Sequence, residues 1–346
     1  MARISFESDY IQGCHEKILE ALVKTNMEML SGYGDDCYCH SAKEKIREAI
    51  GQHDSEVFFL SGGTQTNQIV IDTMLDSSEG VISANTGHIN CHEAGAIEYT
   101  GRKILSLPQY LGKIDINDLK SLVISFENDK NNAHMVAPRL LYISHPTEYG
   151  TLYSLGELEE ISDFCHAHGI GLYIDGARLG YGLASYSTDV TIKDIARLCD
   201  AFYIGGTKVG AMMGEAVVIV NPALKKDFRY LIKQRGGMLA KGRLLGIQFE
   251  TLFEDGLYFE VAKHADDLAM KIRRAFEAKG IEMLFDSKTN QQFSILPNDV
   301  MEKLAEKYAF SFWCKVGETH SAVRFCTSWA TQEENVSELL ADIEKM

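Results

Sequence analysis

The chain has 346 residues, 45% hydrophobic and 24% charged, which suggests roughly two globular domains with enough apolar material for a sizeable core. A formal charge of −15 argues against nucleic acid or an anionic membrane as the main partner, but leaves room for a small anion held by a local cluster of donors. No run approaches membrane-spanning length, and "MARISFESDYIQGCHEK" lacks the apolar core of a signal peptide. The 8 cysteines then read as reduced thiols in a cytoplasmic protein, with Cys165 and Cys199 as core fillers.

In chain order, β-rich runs occur at "VFFL" (57–60), "VIS" (81–83), "KILSL" (103–107), "LLYIS" (140–144), "LYID" (172–175), "FYIG" (202–205) and "AVVIV" (216–220). Several are apolar on both faces, as strands sandwiched between helices must be. Between them lie helical patterns such as "SLGELEEISDFCHAHG" (154–169), with Leu155, Leu158, Ile161 and Phe164 on one side and Gly169 as the stop. The alternation predicts an α/β fold, a mostly parallel seven-stranded sheet flanked by helices. After Pro222 the pattern changes to a long helical region, the helix "FEVAKHADDLAMKIRRAFEAKG", and strands "QQFSILP" and "SAVRFCTSW", a smaller α+β domain. The expected division is an N-terminal segment, 1–45, a large domain, 46–222, and a linker helix with the small domain, 223–346.

In such a sheet the ligand sits beyond the carboxyl ends of the strands. Four stretches qualify: "SGGTQTN" (61–67), "ANTGHIN" (84–90), "DGAR" (175–178) and "GTK" (206–208). Gly63 and Thr64 open a helix whose N–H groups suit a phosphate, although an ordinary capped turn has the same composition. Asp175 and Arg178 are either a strand-end ion pair or a partner for a heterocyclic nitrogen beside a carboxylate clamp. His88 is a loop histidine or a ring-stacking group. Lys208 is a solvated turn lysine or an amine held for Schiff-base chemistry. "CYCH", "HINCH" and "CHAH" lack a recognised ligand spacing, so no metal is expected. Taken together, a phosphate cradle, a histidine, an aspartate with an arginine, and a strand-end lysine match the needs of pyridoxal phosphate.

These residues, with "ESD" (7–9), "GDDCY" (34–38), "IDGAR", "RGGM" (235–238) and "VRF" (323–325), make the chain resemble the threonine aldolase branch of the β-eliminating lyase family. The resemblance spans nearly the whole chain and implies the aspartate aminotransferase fold (fold type I) with pyridoxal 5′-phosphate as cofactor. Carried over, it implies Lys208 as the Schiff-base lysine, Asp175 as the pyridinium partner and His88 on the cofactor ring. Gly63 and Thr64 would take the phosphate. Ser8, Arg178 and Arg324 would bind the substrate carboxylate, with Arg178 also near the cofactor, and Tyr38 would stand near a cleft. Leu239 occupies the place of a common arginine after "GGM", so Lys241 or Arg243 is expected to serve the phosphate. "SHPTEYG" (144–150) replaces a Glu-Asn-Thr segment. The implied activity is retro-aldol cleavage of β-hydroxy-α-amino acids such as L-threonine to glycine and an aldehyde, by a homodimer or homotetramer. β-Elimination from an aromatic or sulfur amino acid, and a non-catalytic ligand-binding role, remain as alternatives.

Overall fold

The computed structural model describes residues 3–346, the side chains of 225–227 excepted. After a short strand β1 (Ile4–Ser5), the central sheet is built from β2 (Glu56–Leu60), β3 (Glu79–Ala84), β4 (Lys103–Leu107), β5 (Ala137–Ser144), β6 (Gly171–Asp175), β7 (Ala201–Gly205) and β8 (Glu215–Ile219). Each lies within a few residues of its sequence prediction. Their order is β2-β8-β7-β6-β5-β3-β4. β8 runs antiparallel to both neighbours, and the other pairs are parallel. The exception has a simple cause: loop 206–214 is too short for the helical crossover that a parallel return needs.

Strand alternation divides the sheet between two cores. Leu141, Ile143, Leu172, Ile174, Phe202 and Ile204 face one; Leu140, Tyr142, Tyr173, Ala201, Tyr203 and Val217 face the other. All residues of β7 and β8 are buried. The flanking helices are set by local signals. Ser154 and Glu157 form a capping box on helix Leu155–Ala167, and Gly169, at φ 64°, turns the chain out of it.

β9 (Gln291–Pro297), β11 (Ser311–Val316) and β12 (His320–Cys326) form a smaller antiparallel sheet in the order β11-β12-β9. β11 has no counterpart in the sequence reading, because its half-exposed residues lack a clean apolar alternation. Between β9 and β11, β10 (Tyr308–Ala309) pairs in parallel with β1, so the start of the chain is joined to its last third. The 22-residue helix Leu257–Ala278 ties the units together. Val261, Ala262 and Ala265 pack in a core of the large sheet, while Leu268, Ile272 and Phe276 pack against Phe325 and Leu296. Each large apolar side chain so buried contributes about 1.5–3 kcal/mol. Among the described residues, no helix is long and apolar enough to cross a membrane.

Candidate active site

The carboxyl ends of β5, β6 and β7 open into a cavity of about 240 Å³ lined by Gly63, Thr64, His88, Asp175, Arg178 and Lys208, among others. The sequence-predicted residues of the four strand-end stretches are thus brought together. Helix Gly63–Met74 starts at Gly62 with no side-chain cap, so its first-turn N–H groups remain available to an anion in the cavity. Close backbone approach shapes the floor: a Cβ on Gly176 would lie 1.9 Å from the Tyr203 carbonyl oxygen, so only glycine lets the ends of β6 and β7 meet there.

Asp175 is buried and fully engaged. Its Oδ1 accepts from Ala177 N (3.0 Å), and its Oδ2 accepts from Tyr142 Oη (2.5 Å) and Asn67 Nδ2 (3.1 Å). The same Asn67 Nδ2 donates to Glu93 Oε1 (2.7 Å), and Asn67 Oδ1 accepts from Tyr173 Oη (2.8 Å). Glu93 Oε1 lies 2.7 Å from His88 Nδ1. Burial works against a charged His88, but the Glu93 hydrogen bond and the charges of Asp175 and Glu93 prevail and lift it above the ordinary histidine value. His88 N donates to Glu148 Oε1 (2.9 Å), which also accepts from Ser144 Oγ (2.7 Å). Burial pushes the Glu148 carboxyl up, despite the Ser144 hydrogen bond.

Lys208 follows β7 in a loop pinned by Tyr181 Oη, which donates to the Lys208 carbonyl (2.5 Å). Its amine has no hydrogen-bond or ion-pair partner among the described residues. Burial, helped by the charge of Arg178, draws the amine below the ordinary lysine value. A lysine amine that burial makes easier to deprotonate, in the lining of a cavity, is suited to act as a nucleophile.

The region just described lies within residues 5–298, which match a family model described as beta-eliminating lyase. The chain belongs to the beta-eliminating lyase family. Within that family it is similar to the low specificity L-threonine aldolases of a Pseudomonas species and of Pseudomonas aeruginosa. Identities are 31% and 29%, each over 98% of this chain and 96% of the relative. Among solved structures it resembles the threonine aldolase of Leishmania major, with a TM-score of 0.96 and 44% identity over 99% of each chain. A Thermus thermophilus aspartate aminotransferase, 15% identical with a TM-score of 0.71 over 99% of this chain and 91% of the other, shares the fold. The fold is therefore fold type I, and both fold and family depend on pyridoxal phosphate.

Ser8, Tyr38, Lys241, Arg243 and Arg324, all expected at the site, lie outside the cavity lining. Ser8 and Arg324 meet each other's segment, because Arg324 Nη2 donates to the carbonyl of Glu7 (2.9 Å) and Nη1 to Gln291 Oε1 (3.0 Å). Ser8 Oγ and Arg324 Nε are buried without a partner among the described residues. Tyr38 lies in the first turn of helix Cys37–Ile50, and its hydroxyl donates to Glu28 Oε2 (2.9 Å) at the surface. Lys241 is exposed. Arg178 differs from a free carboxylate clamp: its Nε and Nη2 already hold Asp9 at 2.7 and 3.0 Å. Asp9 also accepts from Asn290 Nδ2 (2.8 Å).

Sequence reasoning missed Asp9, Asn67, Glu93, Tyr142, Glu148 and Glu215. One signal was available. "YIS", "YID" and "YIG" end β5, β6 and β7, and place Tyr142, Tyr173 and Tyr203 side by side, ring centroids 5.8 and 6.5 Å apart. A tyrosine repeated at the same strand position marks a polar-tipped floor.

Proposed function

We propose that the chain is a pyridoxal 5′-phosphate-dependent aldolase that cleaves L-threonine and L-allo-threonine to glycine and acetaldehyde. The observation that carries this reading is the unpartnered Lys208 amine sharing one cavity with the immobilised Asp175 carboxylate and an uncapped helix N-terminus. That donor set suits the cofactor's three anchor points: an aldehyde, a ring nitrogen and a phosphate. When bound, the cofactor supplies an electron sink for the pair left on Cα as the Cα–Cβ bond breaks.

The chain's own residues supply the rest. Lys208 is held as a nucleophilic amine. Asp175, fixed from three sides, keeps a proton on a heterocyclic nitrogen. Gly63 and Thr64 take the phosphate, and His88 covers the ring. Arg178, oriented by Asp9, offers its remaining Nη1 to the substrate carboxylate, and the unpartnered Ser8 Oγ and Arg324 Nε would be satisfied by the same group. Glu148 joins His88 as a group able to hold the hydroxyl proton, because its raised carboxyl titrates closer to neutrality than an exposed one. Lys241 and Tyr38 serve only if a second copy of the chain brings them to this cavity. A homodimer or homotetramer is supported by the exposed Tyr10, Ile11, Val23, Met27 and Met29 of the N-terminal segment, the last 98% accessible.

Product analysis tests the reading. Purified protein loaded with pyridoxal 5′-phosphate should release glycine and acetaldehyde in equal amounts from L-threonine or L-allo-threonine. Pyruvate and ammonia from an aromatic or sulfur amino acid, with no glycine from either threonine, would replace it with β-elimination.

A further inference from the structure

Glu215 lines the same cavity, is only 5% exposed, and has no part in the chemistry above. It opens β8 directly across the ladder from Gly205, so its side chain curls under the loop that carries Lys208. One oxygen, Oε2, accepts from Gly206 N (3.0 Å), and the other, Oε1, from Thr207 Oγ1 (2.9 Å). Thr207 Oγ1 in turn accepts from Gly214 N (2.9 Å), and Thr207 also lines the cavity. A carboxylate in the wall of a phosphate cradle is an electrostatic misfit unless it gains a proton when the anion arrives.

We propose that Glu215 is a proton-linked positioning residue: seating an organic phosphate in the cradle is coupled to uptake of one proton by its carboxylate. This rests on the cofactor reading given above. A hydroxyl has one hydrogen and two acceptor positions. With Glu215 ionised, the Thr207 hydrogen is spent on the carboxylate. With Glu215 protonated, that hydrogen bond reverses. Thr207 Oγ1 then accepts from both Gly214 N and the carboxylic acid, and its own hydrogen is released toward the cavity and the phosphate. No bond other than O–H is made, and the proton comes from solvent.

The surroundings are consistent with such a role. Burial lifts the Glu215 carboxyl to about 7, against the pull of the Thr207 and Gly206 hydrogen bonds and the Lys208 charge. Lys208 faces it from its own loop, Asp175 and Tyr173 from β6, Tyr203 from β7 and Tyr258 from helix Leu257–Ala278. Of these, Lys208 is the one cation. An arriving phosphate, being an anion, therefore pushes Glu215 toward its neutral form.

The test is calorimetric titration of the apoprotein with pyridoxal 5′-phosphate in buffers of different ionisation enthalpy, which counts protons taken up on binding. Wild type should take up close to one proton more than Glu215→Gln above neutral pH. The glutamine amide mimics the protonated acid and can donate to Thr207, so the variant's affinity should stay level. Wild-type affinity should fall by up to tenfold per pH unit above about 7. Difference infrared spectra of wild type alone should gain the carbonyl stretch of a protonated carboxylic acid on loading, which keeps the test independent of how the variant folds. Equal proton counts, or no such band while the cofactor binds, would overturn the role of Glu215 and leave the cofactor reading standing. Absence of binding in wild type would overturn both.

Discussion

Two polar regions meet at this cleft, and they are built in opposite ways. The floor comes from strand ends of one sheet: Asp175 closes β6, Glu215 opens β8, and Lys208 lies in the turn after β7. The seam above it, with Ser8, Asp9, Asn290 and Arg324, comes from opposite ends of the chain. Asp9 binds Arg178, 169 residues away, and Asn290, 281 residues away. The floor is rigid because neighbouring strands fix it. The seam depends on β1 pairing with β10 and on one long helix packing into both units. A floor built locally can hold a cofactor in one geometry, while a seam assembled from distant segments is suited to recognising substrate.

Substitutions in the floor should break chemistry, and those in the seam should weaken binding and stability. Lys208→Ala should show the largest effect, with glycine formation falling about a thousandfold or more and the visible absorbance of the attached cofactor lost. Retention of that absorbance would remove Lys208 from its role. Asp175→Asn keeps the shape and loses the charge, and should lower kcat by about 10²–10³ with KM little changed. An unchanged kcat would show that no ring nitrogen depends on this carboxylate.

In the seam, Asp9→Asn leaves the buried Arg178 cation without its partner and should cost about 3–5 kcal/mol, read as a drop in the urea midpoint. Burial raises the Asp9 carboxyl, but Arg178 outweighs it and holds the group below the usual aspartate value. The stabilisation it gives is complete above the ordinary aspartate range and is lost as pH falls through the lowered native value. The variant and wild type should therefore converge in stability in acid; a constant gap would deny the ionic origin. Arg324→Lys, which removes the planar fork, should raise KM about tenfold and leave kcat nearly level. The smallest effect is expected at Glu93→Gln, which should lower the His88 titration in an imidazole NMR titration; an unmoved midpoint would deny the Glu93 contribution. The wild-type contribution of this pair is present below the ordinary histidine range and fades as pH rises through the raised native value.

Much of the floor was legible because its signals are local. A strand-ending "GTK" and "IDGAR" on successive strands, with a glycine-rich turn into a helix, specify which side chains reach the sheet edge. The hydrogen-bonding partners of those side chains were not legible. No local pattern singled out Asn67, Glu93 or Glu215, and Glu215 fell just outside the apolar run 216–220. Each matters only because the sheet order β8-β7-β6-β5-β3 brings their elements around one point. The antiparallel course of β8 was equally hidden, since apolar strands buried on both faces read alike in either direction.

The amino-acid order by itself determined the alternating strands and helices, the positions of their ends, and the chemistry-bearing residues at those ends, because periodicity, caps and glycine turns act within a few residues. Only the tertiary structure decided that Arg178 is already paired with Asp9, that Tyr38 and Lys241 lie outside the cavity lining, and that Glu215 lies beneath the lysine loop. Those outcomes depend on burial and on charges brought close in space. Neither is a property of neighbouring residues, so neither can be read along the chain.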